Sequence, residues 1–550
     1  MNRCARWGRL RLWLPLLALW GVVFAQAQSS NDAAFLSTLG ELREAAYSDK
    51  ADIVQRLSQG GHPSLRAVLT ALLEGRLYFR NSDRHTFIVK SADVDPLILV
   101  DPLTLKEAGS APTGDLTVIG TNNSLRRIVR ETVARFGLGS PEVAVRLEAV
   151  REMSRSLDDE TLLLLRERND LETNSRVKKE IATALALAAL NAADSRERLE
   201  AVATLRGSVS QDVRNRLAAL LEKSPGGSFV ESDAKVRGAA AAAVQTIDGW
   251  RTFYSGIETL FFGLSLGSVL VLVAIGLAIT FGVVGVINMA HGELMMLGAY
   301  TTYAVQIAMP GHIGISVLVA IPAAFVVAGL TGVLMERTII RFLYGRPLET
   351  LLATFGVSLI LQQSVRSIFS ALNRSVVTPE WMSGSLRLND ALAITYNRLY
   401  IVIFTLMIFA LSLLVLKRTR IGLEIRAVSQ NRAMAKAMGI RTEWVDAMTF
   451  GLGSGIAGVA GVALSQLTNV GPNLGQSYII DSFMVVVFGG VGNLWGALIG
   501  GASMGIVNKL LEPYAGAVLA KILVLVALIL FIQTRPRGLF PPAGRAAEDK

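Results

Sequence analysis

The sequence predicts an all-α protein: a polytopic helical membrane bundle of about eight to nine segments, preceded by an exported helical-repeat domain with a small β insert. Three observations carry this expectation. Hydrophobic residues make up 51% of the 550 residues, charged residues only 18%, and mean hydropathy is +0.45, too apolar for a chain bathed in water throughout. The charges are unevenly spread. Residues 28–254 hold 30 Lys+Arg and 31 Asp+Glu, whereas residues 255–550 hold 20 and 13 between long uncharged runs. The first 27 residues have the form of a signal peptide.

In that leader, Arg3, Arg6, Arg9 and Arg11 form a basic start, Trp13 to Phe24 an apolar core, and Ala25-Gln26-Ala27 a cleavage site. The core is shorter than the roughly 20 residues needed to cross a bilayer. The single cysteine, Cys4, lies inside it, so the mature chain is expected to have neither a disulfide nor a thiolate metal site. The net charge of +10 is no nucleic-acid signature: four positive charges sit in the leader and most of the rest lie in loops between apolar runs.

Residues 28–250 are predicted to form the exported domain. Phe35, Leu36, Leu39 and Leu42, then Leu65, Val68, Leu69, Leu72 and Leu73, have helical spacing. Between 85 and 120, Phe87–Val89, Leu97–Val100 and Leu116–Ile119 are β-like runs separated by turn residues. Helices then return in repeating form. Arg-Leu-Glu-Ala-Val occurs at 146–150 and again at 198–202, and related starts occur at Arg176–Lys179 and Lys235–Arg237. The pattern resembles HEAT-type repeats, whose stacked helix pairs offer a docking face. His62 and His85 lack companions at metal-ligand spacing.

Apolar runs follow at 257–283, 286–309, 313–335, 350–371, 399–416, 448–470, 479–492, 493–511 and 517–533, with 479–492 short and glycine-rich. With residue 254 outside, alternation puts Glu336–Glu349, Lys417–Asp446 and the tail after Gln533 inside. Those loops hold 14 of the 20 Lys+Arg of this half, as the positive-inside bias requires. Gly451/Gly455, Gly496/Gly500 and Gly501/Gly505 permit close helix approach. Polar residues within the apolar runs are the candidate solute path: Asn288, His291, Glu293, Gln362, Gln466, Asn469 and Asp481. His291 and Glu293 fit a proton relay, a metal site or, equally, a hydrogen-bonded corner between short helices, two ligand types within three residues being weak evidence for a metal. No P-loop motif occurs, so ATP hydrolysis by such a site is not expected of this chain. No catalytic constellation, metal site or cofactor site is expected. The inner loop Thr419–Val428 leads into Ser429–Met438, read as a basic amphipathic helix ended by Gly439. Such a helix suits docking on a partner protein or lying on anionic lipid.

Gly263–Val269, Gly282–Tyr300, Thr419–Met448, Phe450–Gly461 and Val487–Gly496 resemble, in order, the permease family of branched-chain amino acid ABC importers. Thr378–Gly384, Ser465–Tyr478 and Asn508–Tyr514, with the leader and exported helices, are most similar to the subgroup that carries urea. The resemblance implies a non-enzymatic permease in the bacterial cytoplasmic membrane, residues 28–254 being periplasmic and 541–550 a cytoplasmic tail. It implies two cytoplasmic ATPase subunits that use ATP, a second and different permease chain, and a periplasmic binding protein. The loop with Arg420, Glu424, Arg426, Arg432 and Gly439 would then couple to an ATPase. Branched-chain amino acid import and a passive urea channel are the competing expectations.

Overall fold

A computed structural model describes residues 32–90, 96–223, 225 and 227–540. The predicted signal peptide, Cys4 and the tail 541–550 therefore lie outside the described residues. The chain divides into two compact units, Met1–Ser208 with Asp212–Ile247, and Val209–Gln211 with Asp248–Lys550.

The first unit opens with helices α1 (32–41), α2 (Tyr47–Gln59) and α3 (Leu65–Leu73). Their apolar stripes meet in one core containing Leu39, Leu42, Val54, Leu69 and Leu72. A five-stranded antiparallel sheet follows: β1 (Leu77–Arg80), β2 (Thr86–Val89), β3 (Leu97–Val100), β4 (Glu107–Ala111) and β5 (Leu116–Val118), in the order β4-β3-β2-β1-β5. This sheet is larger than the three runs in the sequence and begins before residue 85. β1 carries two aromatic residues but directly follows a helical stripe, which hides it. β4, Glu-Ala-Gly-Ser-Ala, has no intrinsic strand preference and is held by pairing with β3.

Six helices continue the unit: α4 (Asn123–Gly137), α5 (Val143–Met153), α6 (Asp159–Leu171), α7 (Ser175–Ala189), α8 (Ser195–Leu205) and α9 (Gln211–Ala219). Asn122, Asp158, Asn174 and Asp194 cap four of them through side-chain oxygens. The repeated Arg-Leu-Glu-Ala-Val string has a structural counterpart. Arg146 on α5 makes a two-pronged bridge to Glu172 at 2.9 and 3.0 Å, and its remaining nitrogen donates to the carbonyls of Ser140 and Pro141. Arg198 on α8 does the same to Glu231, at 2.8 and 2.9 Å, and to the carbonyls of Ala192 and Ala193. Arg237, in the helix that follows α9, donates to the carbonyls five and six residues before it. Three arginines, Arg146, Arg198 and Arg237, thus each fasten a helix to the loop that precedes it.

Glu172 is buried, and its bonds to Arg146, with burial opposing and the Asn174 N–H and Arg168 assisting, lower its carboxyl to about 2. Its stabilisation is present above the ordinary carboxylate value near 4.5 and is lost as pH falls through about 2. Glu172→Ala strands a buried guanidinium and is expected to destabilise this unit by about 3 kcal/mol. Hydrogen exchange of the helices around it, followed from pH 6 to pH 2, should show the acid loss in the native chain and its absence in Glu172→Gln.

The second unit is a helical bundle. Its helices are α10 (Ala234–Val284, which begins in the first unit), α11 (His291–Ala308), α12 (Ile313–Thr338), α13 (Pro347–Phe369) and α14 (Tyr396–Arg418). They continue as α15 (Arg420–Gln430), α16 (Arg432–Ala437), α17 (Thr442–Ser465), α18 (Leu474–Gly489) and α19 (Leu494–Thr534). A hairpin of β6 (Ser385–Asn389) and β7 (Leu392–Thr395) precedes α14. Among the described residues, six helices are long and apolar enough to cross a membrane: α10, α12 with its flanks, α13, α14, α17 and α19. α19 is two helices merged across Gly516, where φ is +77°, so it accounts for two of the apolar runs. α11 and α18 are the short members, and α18 begins at Leu474, earlier than its apolar run. The centre is built from α10 and α17, with Val269–Ala274 and Gly453–Ser465 buried all round; α12, α13, α14 and α19 surround them.

Loops that alternation assigns to one side bond to one another. Arg374 and Val470 form a bridge, Gln306 exchanges bonds with the backbone of Val377, and the Trp381 indole donates to Gly314. On the opposite side, Leu539 and Phe540 donate to the carbonyls of Phe488 and Gly489, closing the tail on the end of α18.

The inner loop differs from the single helix expected over 429–438. α15 runs through Gln430, Asn431 turns extended (φ −154°, ψ 100°), and its side chain caps α16 at Met434 N–H. An asparagine that accepts this bond competes with helix continuation. Gly439 (φ +87°) does end α16: its N–H and that of Ile440 donate to the carbonyls of Lys436 and Ala435.

Candidate functional site

The break between α10 and α11 creates the candidate site. After Val284 the chain leaves the helix, and Gly285 takes φ +73°. Asn288 folds its side-chain oxygen onto the Ala290 N–H at 3.0 Å, starting α11 at His291 without a side-chain cap. Residues 288–294 are almost wholly buried apart from Met289, so the start of α11 lies inside the bundle. His291 is held against α10: its Nε2–H donates to the Val273 carbonyl at 3.2 Å, and the ring lies against Gly276. The Val273 position is about three turns before the end of α10, which sets the start of α11 well within the membrane depth.

His291 and Glu293 face different helices. Glu293 turns to α13, where its Oε1 accepts from Ser358 Oγ at 3.1 Å and Gln362 Nε2 at 2.8 Å. Thr354 Oγ1, one turn earlier, accepts from Met289 N–H at 3.2 Å. One turn later, Arg366 donates to Asn473 Oδ1 at 2.8 Å. Thr350, Thr354, Ser358, Gln362 and Arg366 recur every four residues and form one polar stripe along α13. The stripe runs past the start of α11 and reaches the residue preceding α18. Thr354 and Ser358 were not among the sequence candidates. Their signal was the four-residue spacing, not their residue type, because isolated Thr and Ser are common in apolar helices.

α18 meets α11 start to start. The backbones of Gly292 and Gly475 touch so closely that a Cβ on either would run into the other's carbonyl group. α11 leads from there to the Gln306 side and α18 to the Phe540 side, so two helix N-termini converge inside the bundle. Gly298 and Gly461 similarly bring α11 against α17, with Gly298 facing Gly458. The glycine pairs seen in the sequence serve such crossings: Gly501 and Gly505 meet α10 at Gly267 and Val271, Gly451 and Gly455 meet α12, and Gly496 meets Gly489.

Among the described residues, buried polar atoms without a partner cluster on these elements: Asn288 Nδ2, His291 Nδ1, Glu293 Oε2 and Tyr300 OH. Gln466, Asn469 and Asp481 are held elsewhere. Gln466 follows α17; its amide donates to Ser465 Oγ, its backbone carbonyl accepts from Asn397, and its Oε1 is a further buried atom without a partner. Asn469 is exposed in the following loop. Asp481 lies in the second turn of α18, not at its start, and pairs with Lys521 of α19 at 3.0 Å. Among the described residues, no group of three or more His, Cys, Asp or Glu side chains is placed to hold a metal ion.

The inner loop separates into braces and an outward face. Arg426 donates to the Leu416 carbonyl at the end of α14, and Arg432 forms an ion pair with the buried Asp446 of α17. Arg432 also lies 5.0 Å from the Tyr344 ring, and Tyr344 donates to Glu336 at 2.9 Å. Arg420 is 93% exposed and loosely paired with Glu424 at 3.9 Å; Ile421 and Leu423 on α15, Met434 on α16 and Met438 at its end are also exposed.

This arrangement, an apolar bundle with interrupted helices and a polar seam, is that of a multi-pass membrane protein. The family profile for the permease component of branched-chain amino acid transport systems matches residues 259–532. The high-affinity branched-chain amino acid transport system permease protein LivH of Salmonella typhimurium is 31% identical over 295 residues, covering 52% of this chain and 94% of that protein. LivH of Escherichia coli K12 is 32% identical with the same coverage, and BraD of Pseudomonas aeruginosa 30% identical over 52% of this chain and 96% of its own length. The chain therefore belongs to the family of branched-chain amino acid ABC transporter permeases. No solved structure matches it.

Because Gly292 and Gly475 have no room for a side chain, Gly475→Val should force α11 and α18 apart at a cost of about 1–3 kcal/mol. Reduced membrane level and a lower melting temperature of the purified chain are expected. Gly311→Ala, where a Cβ meets nothing, should leave both unchanged.

Proposed function

We propose that this chain is the membrane-spanning permease subunit of an ABC importer that moves urea, or a close short-chain amide, across the cytoplasmic membrane. Transport is driven by ATP hydrolysis on separate subunits. The observation that carries the reading is a pair of buried, unpartnered groups at the helix break and in the first turn of α11: the donor Asn288 Nδ2 and the acceptor Glu293 Oε2. Urea offers the complement, amide N–H donors and a carbonyl acceptor, and requires no full counter-charge. The matched relatives align almost end to end with only 52% of this chain. The 28–250 region lies beyond that alignment, which fits a subgroup set apart from the amino-acid permeases. We assign this region to the periplasm as a HEAT-like docking platform for a binding protein or the second, different permease.

Branched-chain amino acid import is the second reading. The relatives' own names favour it, and so do two converging helix N-termini, which suit a carboxylate while Glu293 would meet the ammonium group.

Uptake of labelled urea at low micromolar concentration, in cells lacking the chain and in complemented cells, separates the readings. Chain-dependent, ATP-dependent and leucine-insensitive urea uptake is expected; labelled leucine uptake that competes with urea would replace urea by an amino acid. Chain-dependent uptake that survives ATP depletion would make the protein a channel. Glu293→Gln, isosteric but without the full acceptor charge, should lower uptake at least tenfold at unchanged membrane level.

In the inner loop, α15 is the surface we assign to an ATPase subunit. Arg420→Glu with Leu423→Glu should reduce co-purified ATPase severalfold and leave the amount of chain in the membrane unchanged. Arg432→Ala, which strands the buried Asp446, should instead lower that amount.

A further inference from the structure

We propose that the headgroup of a net-anionic phospholipid binds in the basic pocket between the inner end of α12 and the start of α17. The pocket is a cavity of about 600 Å3 lined by Arg337, Lys436, Arg441, Glu443 and Trp444, among others. Three cations against one carboxylate give it a net positive charge. Arg337 is only distantly engaged, 3.7 Å from Glu336, and Lys436 and Arg441 have no anionic partner among the described residues. α17, 24 residues long, begins here without a side-chain cap, so its first N–H groups add positive potential to the side chains around them. A cluster of unpaired cations around a cavity calls for an anion that can bring several acceptor oxygens.

The position of the pocket selects a lipid as its source. Leu330, Leu334 and Arg337 lie on one stripe of α12, and the two leucines are 64% and 61% exposed. This apolar stripe faces hydrocarbon and ends at the cationic pocket, as a site for acyl chain and headgroup must. Trp444, 55% exposed at the rim, has the amphipathic ring that settles at headgroup level. The strongly exposed side of the coupling loop, Arg420 with Ile421 and Leu423 on α15, offers a protein partner a surface of its own. The pocket therefore divides two roles that the basic loop combines in sequence: α15 for a protein, Lys436 and Arg441 for an anionic lipid. The proposal rests on the chain's membrane setting, not on the solute it carries.

The test uses the purified full-length chain in detergent, titrated with phosphatidylglycerol, with phosphatidylcholine, and with inorganic phosphate. Native mass spectrometry counts retained lipid and a thermal melt records stabilisation. Phosphatidylglycerol should be retained at least fivefold over phosphatidylcholine and should raise the melting temperature; inorganic phosphate should neither compete nor stabilise. Lys436→Gln with Arg441→Gln should reduce phosphatidylglycerol retention to the phosphatidylcholine level. Lys436→Arg with Arg441→Lys, which keeps the charges, and Arg418→Gln, a cation outside the pocket, should retain it. Equal retention of both lipids by the native chain, or undiminished phosphatidylglycerol on the neutralised pair, would overturn the proposal. Stabilisation by inorganic phosphate that displaces the lipid would overturn the lipid source. Should the neutralised pair not fold, the native headgroup comparison and the charge-keeping pair still decide. Urea uptake measured in parallel is independent, so failure of the solute reading leaves this result intact.

Discussion

The backbone contact between Gly292 and Gly475 is the constraint on which the second unit depends. Two short helices that start against one another cannot each span the bilayer unaided, so both need flanking chain that is not helical inside the bundle. Non-helical backbone is tolerated at that depth only when protein surrounds it and satisfies its polar groups. Here Asn288 satisfies Ala290, Thr354 satisfies Met289, and Arg366 reaches Asn473. The α13 stripe is therefore a consequence of the helix break. A bulkier residue at either glycine would separate the helix starts and leave these bonds without their geometry.

The seam has a second consequence. A carboxylate buried among apolar helices must be compensated, and Glu293 is compensated on one oxygen only. Ser358 and Gln362 fix its orientation, since both act on Oε1 from successive turns of one rigid helix. What remains is an oriented acceptor which, on the function proposed above, would need no ordering when a solute arrives. His291, by contrast, points away and locks α11 to α10. Two residues that look in sequence like one relay thus divide the work: one builds the corner and the other faces the seam.

Much of this was legible in the sequence, and the exceptions share a physical cause. Long apolar runs and their charged flanks identified the membrane segments because burial in hydrocarbon acts on every residue of a span. Asn288, His291, Glu293 and Gln362 stood out because polar groups are rare there. Thr354 and Ser358 did not, since a hydroxyl can always satisfy itself on its own helix and its role is set by what lies opposite. Gln466 and Asn469 lie at and beyond the end of α17, and Asp481 pairs with Lys521, 40 residues away, a partner no local pattern announces. β4 had no signal at all, because its pairing with β3 and not its own residues makes it a strand. The break at Asn431 was hidden by a helical pattern that continues on both sides of it.

The inner loop and the seam are joined by contacts that leave little slack. α15 is braced to the end of α14 by Arg426, and α16 is pinned to α17 by Arg432 on the buried Asp446. α17 lies backbone to backbone on α11, where Gly461 meets Met295 and Gly458 meets Gly298. α11 carries Glu293. Glycine crossings of this kind have no flexible side chains to absorb a displacement, and packed interfaces shift between discrete arrangements more readily than they deform. On the function proposed above, a push on the exposed face of α15 would have a short path through these contacts to Glu293. An unpaired lysine or arginine in place of the Arg432–Asp446 pin would still hold the loop near the membrane by charge, but it would not transmit a direction. That is the physical reason to separate, within one basic loop, the residues that brace it from those that face outward.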